Sequence, residues 1–214
     1  MDKRYAIFDM DGTLIDSMAY WENLAHEFLA SKGIDTIPHE ILEQIKPMTM
    51  VQSATLFIQQ FHLEGTPEVL VSQMHHMMDD YYRHTIPLKQ GVEAYVGKLH
   101  SQGVNLCVAS ATVEHLMETC LKRLGILECF DFLLSCETKG IGKDHPDIYL
   151  EAAERFGAQP QDIAVYEDAF YACKTAKDAG FYLVGVYDAG SQKHWEALQA
   201  MADETIITFE EVPQ

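Results

Sequence analysis

Tyr5-Ala6-Ile7-Phe8-Asp9-Met10-Asp11-Gly12-Thr13-Leu14 decides how the rest of the chain is read. Four residues of strand character run into two acids one residue apart, and a Gly-Thr turn follows. Aromatic and β-branched residues ahead of a glycine break indicate a buried strand entering a loop. In an open α/β sheet, such a strand delivers its carboxyl end to the ligand crevice. Two carboxylates at that mouth would repel, and one would take up a proton unless a cation joined them. A hard divalent cation with oxygen ligands suits the place, most often Mg2+ beside a phosphate. An Asp-x-Asp before glycine is also ordinary turn composition. The hydrophobic strand in front and Gly12-Thr13-Leu14 behind make this pair more specific than a turn.

Downstream of Leu14 the pattern turns helical. Ser17 can cap a helix carrying Trp21, Leu24, Ala25, Phe28 and Leu29 that ends near Gly33. Pro38 opens a second helix, 49–61 forms a third, and Thr66-Pro67-Glu68 starts a long fourth with Val69, Leu70, Met74, Met77, Met78 and Tyr81. These residues, without a convincing strand, predict a helical bundle inserted after strand 1. The expected division is a cap over 16–86 and a core over 1–15 and 87–214. The hinges fall near Ile15-Asp16 and Ile86-Pro87. Strands then alternate with helices: strands over 104–110, 130–135, 163–166 and 182–186, with an edge strand over 204–208. Helices fall over 91–101, 112–124, 147–156, 171–179 and 195–201. That rhythm predicts an α/β fold, a doubly wound, mainly parallel, Rossmann-like sheet.

The 214 residues suit one α/β domain with an insertion. Lys and Arg number 15 against 33 Asp and Glu, a formal net charge of -18. That balance argues against nucleic acid, which needs basic stripes, and against anionic membrane surfaces. No apolar run approaches a membrane helix. The first strand begins almost at once, which leaves no room for a signal peptide. Five cysteines without a Cys-x-x-Cys pair fit a reducing, cytoplasmic setting.

Later strand ends carry further polar groups. Ser110-Ala111-Thr112 places a hydroxyl at a helix start, where phosphate binds through N–H groups or where a simple N-cap stands, for which Thr112 qualifies. Lys143, with Lys139 as a competitor, precedes a Pro-started helix and could offset negative charge. Glu167 and Asp168 end a buried strand. Acids there can complement a helix dipole, but meeting Asp9 and Asp11 they would imply a metal. Met74-His75-His76-Met77-Met78 is read as apolar methionine knobs beside solvated histidines, because adjacent helical residues point about 100° apart.

Asp9-Met10-Asp11-Gly12-Thr13, Ser110, Lys143 and Glu167-Asp168 together resemble the four ordered motifs of the haloacid dehalogenase superfamily. The resemblance spans essentially the whole chain and is closest to the β-phosphoglucomutase-like proteins and small phosphatases with a helical cap. It implies Asp9 as the nucleophile that becomes an aspartyl-phosphate, Asp11 as general acid and base, and Lys143 as charge balance. It implies Ser110, Ala111, Thr112 and Gly12 around the phosphate. Mg2+ would sit on Asp9, the Asp11 backbone carbonyl and Asp168, with Glu167 in or behind the ligand set. Two departures stand out: Asp144 puts an extra acid beside Lys143 where the family has proline, and Ala169-Phe170 follows the acids where the family has serine.

Within the family, Asp11 excludes dehalogenases, which lack an acid there. Trp21 stands where β-phosphoglucomutases carry a cap histidine, and Met50 stands near where they carry a cap arginine. Both disfavour mutase chemistry. Trp21 is expected to line an apolar pocket or to fill the cap core. The expected activity is an Mg2+-dependent phosphatase of small phosphorylated metabolites. The alternatives are a sugar phosphomutase and a catalytically silent binding protein of the same fold.

Overall fold

The computed structural model of the protein describes residues 3–45 and 48–211. The chain opens with β1 (Tyr5–Phe8), followed by four helices: α1 (Met18–Ser31), α2 (His39–Ile45), α3 (Met50–Phe61) and α4 (Pro67–His84). Then come α5 (Val92–Ser101), β2 (Asn105–Ser110), α6 (Glu114–Arg123), β3 (Phe132–Ser135), the short α7 (Cys136–Lys139) and α8 (Asp147–Phe156). The chain continues through β4 (Ile163–Glu167), α9 (Phe170–Asp178), β5 (Tyr182–Val186), α10 (Trp195–Met201) and β6 (Glu204–Ile206).

The six strands form one sheet in the order β3-β2-β1-β4-β5-β6, and every pairing is parallel. The strand order reverses direction at β1, between β2 and β4. In a doubly wound sheet, that switch point is where ligands bind, outside the carboxyl ends of the strands. Side chains alternate between two buried faces, as the two-residue period of a strand requires. Ala6 and Phe8 face α5 and α6 together with Leu106, Val108 and Tyr166. Ile7 faces α8 with Cys107, Ala109 and Val165. Phe8 stacks on Tyr166 with ring centroids 4.2 Å apart at 11°. Strand β3 starts two residues later than the periodicity predicted, because Leu127–Cys129 form a 3-10 turn that ends against Phe130.

The inserted helices carry local signals that the sequence spells out. Thr49 and Gln52 close a reciprocal capping box at the start of α3. Pro67 occupies the first turn of α4, where its missing N–H costs nothing. Along α4, Leu70, Met74, Met78 and Tyr82 recur every four residues and are buried. This stripe joins Phe28, Leu29 and Phe57 in an apolar cluster continuous with one face of the sheet. The two linkers run side by side: Asp16 N–H donates to Pro87 O at 3.0 Å, Lys89 N–H to Leu14 O at 2.9 Å, and Ile15 bridges Leu88 antiparallel. Ser17 does not cap α1 through its side chain, contrary to the sequence-based expectation, since its hydroxyl is engaged elsewhere.

Gly91, before α5, has φ +84°, and an added Cβ would lie 2.6 Å from Glu210 N and 2.8 Å from Phe209 C. Both the left-handed conformation and the closeness of the returning backbone require glycine. Gly91→Ala is expected to destabilise the protein by about 1–3 kcal/mol, read as a lowered urea midpoint with the m-value unchanged.

Candidate active site

The site is assembled by strand pairing. Phe8 is in register with Tyr166, and Asp9 N–H donates to Tyr166 O at 2.9 Å. The residues immediately beyond, Asp9 on one strand and Glu167 and Asp168 on the other, therefore emerge side by side at the switch point. They are 6%, 1% and 2% exposed, and one oxygen from each lies within 4.8 Å of the others. From the loop ahead of α8, Lys143 enters between them; its ammonium contacts Asp9 Oδ1 and sits 2.7 Å from Glu167 Oε2. Tyr149 OH donates to the same Glu167 oxygen at 3.0 Å, and Ala169 N–H donates to Glu167 Oε1 at 3.2 Å. Asp168 accepts from Thr13 Oγ1 at 3.3 Å and from Ser191 Oγ at 3.1 Å. The side chain of the competing Lys139 lies outside the described residues.

Three buried carboxylates face one directly bound ammonium. Burial alone would lower the pKa of Lys143, but Asp9 and Glu167 more than reverse this and hold it well above its usual value. The unbalanced charge falls on the acids. Burial, then Glu167, raises Asp9 well above the carboxylate range, with Lys143 opposing. Burial, Glu167 and Asp188 raise Asp168 to about 8. Proximity to several carboxylates without enough positive charge is the electrostatic signature of a cation site, and the donors are all hard oxygens of the kind Mg2+ takes.

Gly12 closes the loop beneath. Its φ is +88°, and an added Cβ would sit 2.8 Å from Asp168 Oδ2, so no side chain fits between the first loop and Asp168. Lys89 pins this turn: its Nζ donates to Gly12 O and Tyr187 O, both at 2.7 Å, and pairs with Asp188 Oδ2 at 2.8 Å.

Asp11 stands apart from the three buried acids, in a nest of donors. Its Oδ1 accepts from Ser17 Oγ at 2.7 Å, Trp21 Nε1 at 3.0 Å and Tyr82 OH at 2.6 Å. Its Oδ2 accepts from Thr112 Oγ1 at 2.7 Å and Ser110 Oγ at 3.3 Å. Burial first, then the Asp11 carboxylate, pushes the Tyr82 phenol far above its usual range, so it remains a donor. Thr112 is not the N-cap of α6; Val113 holds that position, and the Thr112 amide donates to Ser110 Oγ at 3.0 Å. Ala111 is exposed above Ser110.

The residues singled out from the sequence thus gather at one crevice: Lys143 in contact with Asp9 and Glu167, Asp168 next to those acids, and Asp11, Ser110 and Thr112 beside them. Asp144 is exposed and lies 3.9 Å from His145, so it turns away from Lys143. The hydroxyl missing after Asp168 is supplied from a distance by Ser191 and Thr13. Trp21 is half-buried: its ring packs against the core that the inserted helices share, while its N–H reaches Asp11. Ser17, Tyr82, Tyr149, Lys89 and Ser191 were not legible as site residues, because each reaches the crevice from an element whose position depends on the whole fold. Only Ser17, six residues after Asp11, was near enough in the chain to raise suspicion. His75 is half-buried rather than solvated, its Nε2 without a hydrogen-bond partner, whereas His76 is exposed.

The fold and this arrangement of acids, lysine and hydroxyls define a class. The family model for haloacid dehalogenase-like hydrolases matches residues 3–180, and the chain belongs to that family. Among curated proteins, it is 30% identical to hexitol phosphatase B of Escherichia coli K12 over 165 residues, covering 77% of this chain and 74% of the relative. It is also 27% identical to the β-phosphoglucomutase of Bacillus subtilis over 191 residues, 84% of this chain and 81% of that one. Among solved structures, CbbY from Rhodobacter sphaeroides in complex with phosphate superimposes with a TM-score of 0.83 at 22% identity, covering 98% and 96% of the two chains. That likeness shows the shared fold. Among the described residues no helix is long and apolar enough to cross a membrane.

Asp168 gives the site a pH signature. A carboxyl whose folded pKa exceeds its unfolded value binds a proton in the folded state that it loses on unfolding. Its contribution to stability is therefore greatest at low pH and declines as pH rises from about 4 to about 8, at up to about 1.4 kcal/mol per pH unit and proton. Chelator-treated protein is expected to show this decline in thermal midpoint, and Asp168→Asn is expected to make it shallower, since Asp9 is raised as well. Added Mg2+ is expected to raise the midpoint more at pH 8 than at pH 5, because cation binding releases the proton.

Proposed function

We propose that the protein is an Mg2+-dependent phosphatase of small phosphorylated metabolites that works through an aspartyl-phosphate on Asp9. The observation that carries this reading is the buried Asp9 carboxylate held against Lys143 within a cluster of acids at the switch point of the sheet. In the proposed reaction Asp9 attacks phosphorus, and the bond from phosphorus to the leaving oxygen breaks. Asp11 gives that oxygen its proton. Asp11 then takes a proton from water as the water attacks phosphorus, the bond from phosphorus to the Asp9 oxygen breaks, and phosphate leaves. Ser110, Thr112, the Ala111 amide and the Gly12 turn cradle the phosphoryl oxygens, and Lys143 offsets their charge.

Asp9, Asp168 and the Asp11 carbonyl would hold Mg2+. Glu167, which accepts from Lys143, Tyr149 and Ala169, stands in or behind this ligand set. Bound there, Mg2+ supplies Lewis-acid polarisation of the phosphoryl group and neutralises charge. Residues 16–86 serve as the cap and 1–15 with 87–214 as the core, the paired linkers acting as hinge. The hexitol phosphatase relative supports phosphorylated sugars and polyols as the substrate class. A mutase is the second reading, supported by the β-phosphoglucomutase relative. It is disfavoured by Trp21, whose N–H is spent on Asp11, and by Met50, which brings no charge to the cap.

The test is phosphate release from a panel of sugar, polyol, nucleotide and organic-acid phosphates with Mg2+. Turnover of at least one sugar or polyol phosphate is expected. It should be abolished by chelator, restored by Mg2+, and cut more than about 10³-fold by Asp9→Asn. An isomerised sugar phosphate formed without phosphate release would favour the mutase. No turnover of any kind would leave only a binding role.

A further inference from the structure

The hydrogen bonds on Asp11 assign a task to two side chains of the inserted helices. We propose that Trp21 of α1 and Tyr82 of α4 are positioning residues for the proton-transferring carboxylate of Asp11. The inference rests on the phosphatase reading above.

An ionised carboxylate offers about four lone-pair positions, two on each oxygen. On Asp11, Oδ1 already receives three donors: the Trp21 indole N–H at 3.0 Å, the Tyr82 hydroxyl at 2.6 Å and the Ser17 hydroxyl at 2.7 Å. That oxygen is saturated and faces the inserted helices. Oδ2 faces the Ser110 and Thr112 hydroxyls on the sheet side of the crevice, away from the indole of Trp21, with Thr112 Oγ1 also 3.3 Å from Tyr82 OH. Oδ2 is therefore the working oxygen. Oδ2 takes up a proton from solvent before the first step and gives it to the leaving oxygen as the Asp9–phosphorus bond forms and the phosphorus–oxygen bond breaks. In the second step the same oxygen receives a proton from water.

The two aromatic donors form one unit. Trp21 Nε1 lies 3.1 Å from Tyr82 OH as well as 3.0 Å from Asp11, and the rings meet edge to face with centroids 6.3 Å apart. The backbone of Tyr82 is gripped from α6, where Arg123 Nε donates to Tyr82 O at 2.8 Å and its guanidinium also reaches Ile86 O. The phenol is thus aimed at Asp11 by a contact between inserted helices and sheet layer.

Leaving groups of different basicity test this. A hexitol phosphate expels a basic alkoxide that needs the Asp11 proton, whereas p-nitrophenyl phosphate expels a phenolate that does not. The parameter is kcat/KM, which reports the step that breaks the phosphorus–oxygen bond. In Tyr82→Phe and in Trp21→Phe, each removing only a donor from an aromatic frame, kcat/KM for the hexitol phosphate is expected to fall about 10- to 100-fold, and that for p-nitrophenyl phosphate less than about threefold. Equal losses on both substrates, or no loss on either, would overturn the proposal. Trp21 is half-buried, so its variant keeps the test alive should Tyr82→Phe fold poorly. A wild-type protein inactive on both substrates would bring down the phosphatase reading and this one together. A wild type active on both, with variants showing no leaving-group dependence, would refute the positioning role alone.

Discussion

Three carboxylates packed against one lysine at the ends of β1 and β4 are the constraint around which the structure is organised. Taking such charges out of water is costly, and it is sustained only where a counter-charge and oriented donors stand ready. Lys143 supplies the first, and Tyr149, Ala169, Thr13 and Ser191 supply the second. The remaining deficit of positive charge raises Asp9 and Asp168 and leaves a place that a divalent cation would complete. The sheet order makes the cluster possible, since only adjacent parallel strands in register bring Asp9 level with Glu167. The Gly12 turn fits because nothing bulkier passes Asp168.

A second polar layer sits over the first. The inserted helices do not merely cover the crevice; they reach into it through Trp21 and Tyr82. Elsewhere they meet the sheet layer through Met50 N–H, which donates to Glu137 Oε1 at 2.9 Å, and through the exposed pair of Glu43 with Lys193. Exposed ion pairs contribute little. The apolar stripe along α4 and the Arg123 grip on the end of that helix hold the layers together more firmly. The loop carrying Lys193 also carries Ser191, so the segment that touches α2 also touches Asp168.

Much of this was legible in the one-dimensional pattern. The strand ahead of Asp9, the strand ahead of Ser110 and the strand ahead of Glu167 announced themselves by apolar runs closed by polar residues. Their parallel pairing followed from the helices between them. The four helices after Leu14 were legible from periodicity and from Pro67 and Thr49. Local logic failed where a side chain had two possible partners. Ser17 and Thr112 both look like helix caps, and both instead donate to Asp11, whose carboxylate turns each hydroxyl toward itself and away from the helix-end amides. Trp21 looked apolar because the indole is mostly hydrocarbon; its single N–H reaches both Asp11 and Tyr82.

The amino-acid order by itself determined the α/β architecture, the family and the acids, lysine and serine of the crevice, because these follow from short-range periodicity and from residues at strand ends. The tertiary structure alone decided which donors hold each carboxylate. Trp21, Tyr82, Arg123, Tyr149, Lys89 and Ser191 come from six separate segments. A hydrogen bond depends on distances of a few tenths of an ångström that no spacing along the chain encodes.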